Sequence, residues 1–204
     1  MLLVAPQPFF AQRGTPINVR QMAQTLCEAG HDVHLATYPM GAPVSIPGLR
    51  VHRALGVPGV RDVPIGFSWR KVALDASLAL RVWTLVGSRR FDVVHAVEES
   101  VFFAMPAARL RGIPVIYDLD SSLSDQLEYG GHVRSAALLR VLRRMERGAL
   151  RRARLAITVC TSLTDSVRAM SPHTPVAQIE DCPIDEALRA PDPARVDALR
   201  AAHG

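Results

Sequence analysis

Lysine is almost absent. Lys71 is the only one among the 24 basic residues of this 204-residue chain, whose formal net charge is +5. Arginine carries the rest, a usage that reflects composition more than function, so the overall charge gives little sign of a nucleic-acid partner and none is expected. Cysteine is scarce. Cys27, Cys160 and Cys182 are odd in number and far apart, which excludes a disulfide framework and favours reduced thiols in a cytoplasmic setting. Their spacing matches no metal-ligand pattern, and no metal or cofactor is expected. Long hydrophobic runs are missing as well. The most apolar stretch, Val72–Val86, is interrupted by Asp75 and Arg81 and falls short of a membrane span. Met1–Ala5 has no basic flank and stops at Pro6, so it reads as a strand rather than a leader. Neither G-x-G-x-x-G nor G-x-x-x-x-G-K occurs, which excludes the dinucleotide fingerprint and the P-loop.

What is present is a regular alternation. A 49% hydrophobic and 21% charged chain of this length suffices for one α/β domain with its own core. Short aliphatic runs at Leu2–Pro6, Asp32–Thr37, Leu49–Arg53, Asp92–Ala96, Pro114–Asp118, Leu155–Val159 and Val176–Ile179 read as strands. Helical patterns at Ile17–Ala29, Phe67–Val86, Ser100–Leu110, Val133–Arg152 and Leu163–Met170 separate most of them. Continuous apolar strands between helices predict a Rossmann-like, doubly wound, mainly parallel sheet with helices on both faces. Residues 38–66 read as a turn-rich excursion. The proline-containing tail 182–204 reads as a connector ending in a short helix, Ala194–Ala202, after a single domain over 1–181.

Three strand ends carry candidate chemistry. After the first strand, Arg13-Gly14-Thr15-Pro16 enters a helix. Thr15 is expected as its N-cap and Pro16 at its first position. Glycine permits close backbone approach, and the helix start with Arg13 is expected either to form an anion site or to be an ordinary capped helix. After the fifth strand, Asp118-Leu119-Asp120-Ser121-Ser122 clusters carboxylates and hydroxyls where open α/β sheets bind ligands, unless Ser121 or Ser122 simply caps a following helix and the aspartates are solvated. Asp118 and Asp120 are expected to diverge and so to be poorly placed to share one metal. After the fourth strand come Glu98 and Glu99, as acceptor-side ligands or as first-turn helix acids. His95, inside an apolar run, reads as a satisfied core histidine, and His31 and His34 as structural.

The helix Val133–Arg152 carries Leu138, Val141, Leu142, Met145 and Ala149 on one face. Arg140, Arg143, Arg144, Arg147, Arg151 and Arg154 gather on the other, with Glu146 the only acid among them. Such a stripe is expected either to be a plain solvated face or to meet an anionic membrane surface, worth about 1 kcal/mol per arginine. That would make the protein cytoplasmic and peripheral at the membrane.

Taken in order, Pro8-Phe9-Phe10, Arg13-Gly14-Thr15-Pro16, Ala29-Gly30-His31-Asp32-Val33, Asp92-Val93-Val94-His95-Ala96 and Gly112-Ile113-Pro114-Val115-Ile116-Tyr117-Asp118 resemble the N-terminal domain of family 4 GT-B glycosyltransferases. The resemblance covers almost the whole chain. It implies half of a two-domain enzyme that moves a sugar from a nucleotide-sugar donor to a glycan or lipid-linked acceptor, with retention and without a required metal. It further implies that Gly14, with Arg13 and Thr15, approaches the donor phosphates, and that Glu98, Glu99, Asp118, Ser121 and Ser122 lie on the acceptor side. Asp120 stands where the family often has a histidine near the reacting sugar, and is the candidate catalytic residue. The family's donor-binding E-x7-E pair has no counterpart after Asp181, so the chain is expected to be a fragment or one half of a split enzyme, inactive alone.

Two other readings compete. Asp118-Leu119-Asp120-Ser121 also fits the D-x-D-x-[ST] of haloacid-dehalogenase-like Mg²⁺ phosphatases, although no lysine follows it and four strands precede it. The chain could also be a non-catalytic module that binds a glycan or lipid.

Overall fold

In the computed structural model, which describes residues 1–12, 14–63, 68–122, 124, 135–181 and 192–203, seven strands form one all-parallel sheet. They are β1 (Leu2–Ala5), β2 (Val33–Thr37), β3 (Leu49–Arg53), β4 (Val94–Val97), β5 (Val115–Leu119), β6 (Leu155–Thr158) and β7 (Val176–Gln178). All seven expected strands form. The helices are α1 (Gly14–Glu28), α2 (Trp69–Ser88), α3 (Val101–Leu110), α4 (Ala136–Leu150), α5 (Thr161–Met170) and α6 (Pro193–His203). Residues 182–191 of the expected connector lie outside the described residues.

The strand order is β3-β2-β1-β4-β5-β6-β7. The chain runs outward from β1 to β3, then returns to the other side of β1 at β4. Parallel crossovers are right-handed, so the first run puts α1 on one face and the second puts α2 to α5 on the other. The core divides accordingly. Leu3, Ala5, Val33, Leu35 and Val97 pack with Val19 and Ala23 of α1. The alternate residues Leu2, Val4, Ala36, Val94 and Ala96 pack with Leu74, Leu78 and Val82 of α2 and with Ala104 and Ala108 of α3. Helices therefore lie on both faces, but α1 covers only part of its own. Beside it an open groove of about 690 Å³ runs past Met22, Leu26, Ile116, Ile157 and Ile179.

α4 departs from its expected orientation. Leu139, Glu146, Ala149 and Leu150 are its buried residues, whereas Leu138, Val141 and Met145 are 46%, 53% and 45% exposed. The helix is rotated by roughly a fifth of a turn relative to its apolar stripe. The cause is Glu146. Its carboxylate is buried and accepts hydrogen bonds from Ser122 Oγ (3.2 Å), Ser124 N (3.3 Å) and Ser124 Oγ (2.5 Å). Satisfying a buried charge with three donors outweighs centring the apolar stripe on the core.

Candidate active site

Ligand crevices of open α/β sheets form outside the strand ends where the order reverses. Here that point lies between β1 and β4, and the loops after β1, β4, β5 and β7 meet there. The meeting is made by Thr15 and Asp120. α1 begins at Gly14, so Thr15 sits inside the first turn and not at the N-cap as expected, and its side chain lies close enough to the Asp120 carboxyl to favour its charged form. Arg13 lies outside the described residues. A Cβ placed on Gly14 would meet nothing within 4 Å, so the space beside the helix start is open.

Asp118 and Asp120 do not diverge. Residues two apart on an extended strand share a face, and both turn toward α1. Asp118, 1% exposed, holds His95 through a 2.8 Å contact from its Oδ2 to Nε2. The pair ties β4 to β5 beneath the crevice and leaves Asp118 no surface for an acceptor or for a phosphate to be attacked, which removes the geometry of the phosphatase reading. His95 is the satisfied buried histidine expected of it. Among the described residues no group of three metal-ligating side chains converges to hold an ion.

Asp120 is the most perturbed acid in the crevice. Burial pushes its carboxyl up to about 7, with added repulsion from Asp118, Glu98 and Asp181; the Thr15 side chain pulls the other way. Its Oδ1 is buried and has no hydrogen-bond partner among the described residues. Burial likewise raises Glu98, while Lys71 and the Ser121 hydroxyl, which donates to its Oε1 at 3.2 Å, oppose the rise. Glu98 adopts φ +50°, a left-handed conformation that a non-glycine residue keeps only where surrounding contacts enforce it. It opens the short 3₁₀ turn Glu98–Ser100 that leads into α3.

The remaining site candidates separate. Ser121 stays in the crevice with Glu98. Ser122 is buried against Glu146, so it shapes the loop after β5 instead of facing an acceptor. Glu99 pairs with Lys71 of α2, and Lys71 also lies 3.7 Å from Asp75, which accepts a 2.5 Å hydrogen bond from the Tyr38 hydroxyl.

Sequence reasoning missed Lys71, Tyr38, Asp75 and Asp181. Asp181 was within reach of the strand-end rule, since it closely follows β7. Lys71 was visible only as the solitary lysine. The six arginines assigned to a membrane face lie on and just after α4 and are all exposed.

The glycosyl transferase 4-like domain model matches residues 13–180. No protein of curated function matches the sequence. Solved structures share the fold at low identity. Sucrose-phosphate synthase from Thermosynechococcus elongatus superposes with a TM-score of 0.70 at 16% identity, over 97% of this chain and 52% of its own. WaaG, a glycosyltransferase involved in lipopolysaccharide biosynthesis, gives 0.65 at 9%, over 100% and 52%. HepE of Anabaena, in complex with UDP and glucose, gives 0.59 at 17%, over 100% and 50%. The chain thus spans about half the length of these neighbours. With its all-parallel Rossmann-like sheet and its match over most of its length, this chain belongs to the glycosyl transferase 4-like domain family and has the architecture of one half of a GT-B glycosyltransferase.

Proposed function

We propose that the chain forms the acceptor-side half of a retaining glycosyltransferase that moves a hexosyl group from a nucleotide-sugar to a glycan or lipid-linked acceptor. One observation carries the reading: the Thr15 side chain reaches Asp120, so the turn at the start of α1 and the turn after β5 open onto one crevice. The open helix start at Gly14 and Thr15, with Arg13, suits the donor phosphates, because unpaired N–H groups and the helix dipole favour an anion there. UDP and UDP-glucose are bound by HepE, which supports a nucleotide-sugar as donor.

Asp120, titrating near neutrality with one buried oxygen unpartnered, is positioned to exchange a hydrogen bond or proton with a sugar hydroxyl. Glu98 and Ser121 would orient the acceptor. Glu99, Asp118 and Ser122 hold this constellation from behind. The donor-binding half comes from sequence not present in this chain, on the same or a separate polypeptide. Transfer requires both, because the reacting groups are brought together between two domains.

The test is reconstitution with a donor-binding half of the same family, screening acceptors with UDP-hexoses. Transfer should need both halves, and Asp120→Asn should lower kcat by about a hundredfold or more with binding of the donor retained. Undiminished turnover in Asp120→Asn would remove the proposed role of Asp120. Phosphate release from p-nitrophenyl phosphate with Mg²⁺, abolished by Asp118→Asn, would replace sugar transfer with the phosphatase reading.

A further inference from the structure

The amino ends of the strands form a second rim, opposite the crevice, and arginine gathers there. β1 to β4 are four or five residues long, so the two rims lie about 15 Å apart. Arg50 stands at the second position of β3, and Arg89-Arg90-Phe91-Asp92 lie in the turn from α2 into β4. A hollow of about 320 Å³ is walled by His34, Arg50, Arg89, Arg90, Phe91 and Asp92. A second hollow, of about 550 Å³, shares that turn and adds Arg111, whose Nη2 donates to the Gly87 carbonyl at 3.2 Å.

The back of the first hollow is ordered. Arg50 Nη1 lies 2.9 Å from His34 Nε2. A guanidinium only donates, so this nitrogen accepts and His34 carries its proton on Nδ1. That Nδ1 donates in turn to His52 Nε2 at 2.8 Å, and Phe91 meets the His34 ring edge-on, with centroids 5.3 Å apart. Positive charge outweighs negative around it. Asp32 and Asp92 are the acids in the walls of the two hollows, and Asp32 is already paired with Arg50 at 2.7 Å. Arg89 and Arg90 are exposed and form no ion pair among the described residues. Arg81 of α2 has its Nε buried without a hydrogen-bond partner among those residues. The excess is felt at His52, which burial first, then His34, Arg81, Arg89 and Arg50, hold down to about 4.

We infer that this rim is a binding site for a small, multiply charged oxyanion, a phosphate monoester or pyrophosphate, held between Arg50, Arg89 and Arg90. Guanidinium forks match phosphoryl oxygens bidentately. Three of them line one hollow instead of spreading along a helix face, which suits a compact anion and not a polymer or a bilayer. The volume is that of a small-molecule site at the lower end of the usual range. The donor phosphates of the proposed reaction belong at Gly14, on the opposite rim, so the occupant here is a second anion, an effector and not the donor. The site needs no sugar transfer to be read.

Calorimetric titration of the whole chain with inorganic pyrophosphate at low salt should show binding. Arg89→Gln and Arg90→Gln should each weaken it about tenfold with Tm unchanged, since both side chains are exposed. The ring resonances of His34 and His52 should move with occupancy. Arg13→Gln at the crevice and Arg168→Gln on α5, toward the β7 edge of the sheet, should leave this binding in place. Pyrophosphate binding that survives Arg89→Gln and Arg90→Gln but disappears in Arg13→Gln would assign the anion to the crevice and overturn the inference. Equal weakening by Arg168→Gln, the mark of diffuse charge, would overturn it as well. So would an absence of pyrophosphate binding, with or without attachment to phosphatidylglycerol vesicles.

Discussion

At neutral pH the carboxyl of Asp120 sits near the midpoint of its titration, about 7, because burial and three neighbouring acids oppose its charge. This has a consequence for stability. In the unfolded chain the same group releases its proton near the ordinary aspartate value of about 3.9. Between roughly pH 4 and 7 the folded state therefore holds a proton that the unfolded state has lost, and stability falls as pH rises through that window. Asp120→Asn keeps the hydrogen-bonding shape without the charge. It should match the parent near pH 4 and exceed it by about 1–3 kcal/mol at pH 8. Urea denaturation at the two pH values checks this, and a constant difference at both would show that Asp120 is not perturbed. The acid itself was legible in the sequence as a strand-end aspartate. Its shift was not, since Asp118, Glu98 and Asp181 meet it only through the fold.

Among the elements, the loop between β1 and α1 depends on a partner far along the chain. Phe10 and Ala42 exchange backbone hydrogen bonds of 3.0 and 2.9 Å, and the Arg53 guanidinium donates to the carbonyls of Met40, Gly41 and Ala42. Gly41 makes this closure possible. Its φ is +121°, and a Cβ there would overlap the backbone of Phe9. Gly41→Ala should cost about 2–4 kcal/mol and slacken the start of α1, read as earlier chemical denaturation and faster amide exchange at Val19 and Arg20. A loss below about 0.5 kcal/mol, the ordinary surface scale, would show that the loop adapts without strain. The turn-rich stretch 38–66 was legible by composition, but not its task of bracing the crevice loop. α4 shows the same division. Its heptad-like apolar pattern predicted a helix, whereas burial of Glu146 under Ser122 and Ser124 set which side faces inward.

For the molecule as a whole, pH acts at both ends of the sheet with opposite sign. Away from the crevice, His34 Nδ1 and His52 Nε2 lie 2.8 Å apart on β2 and β3. Burial, then His34 and nearby arginines, holds His52 down to about 4, and burial also lowers His34. Unfolded histidines take up protons near 6.5, so stability is lost as pH falls from about 6.5 toward 4. His52→Gln should flatten that acid limb, leaving Asp120 to govern the neutral side. Thermal melts at pH 7 and pH 4.5 decide it: if the variant loses as much Tm as the parent, acid sensitivity has another source.

Several features were determined by the chain's linear order alone. Apolar runs at strand length between helical patterns demand a parallel sheet covered on both faces, and the position of Gly14, Glu98 and Asp120 after strands places them at the carboxyl rim of the sheet. Those signals are local and periodic. Tertiary structure alone decided that Asp118 is a buried partner of His95, that Ser122 and Glu99 serve Glu146 and Lys71, and that α4 turns apolar residues outward. Each of these depends on which side chains meet across long sequence separations, where the cost of an unsatisfied buried charge outweighs the preference of any single segment.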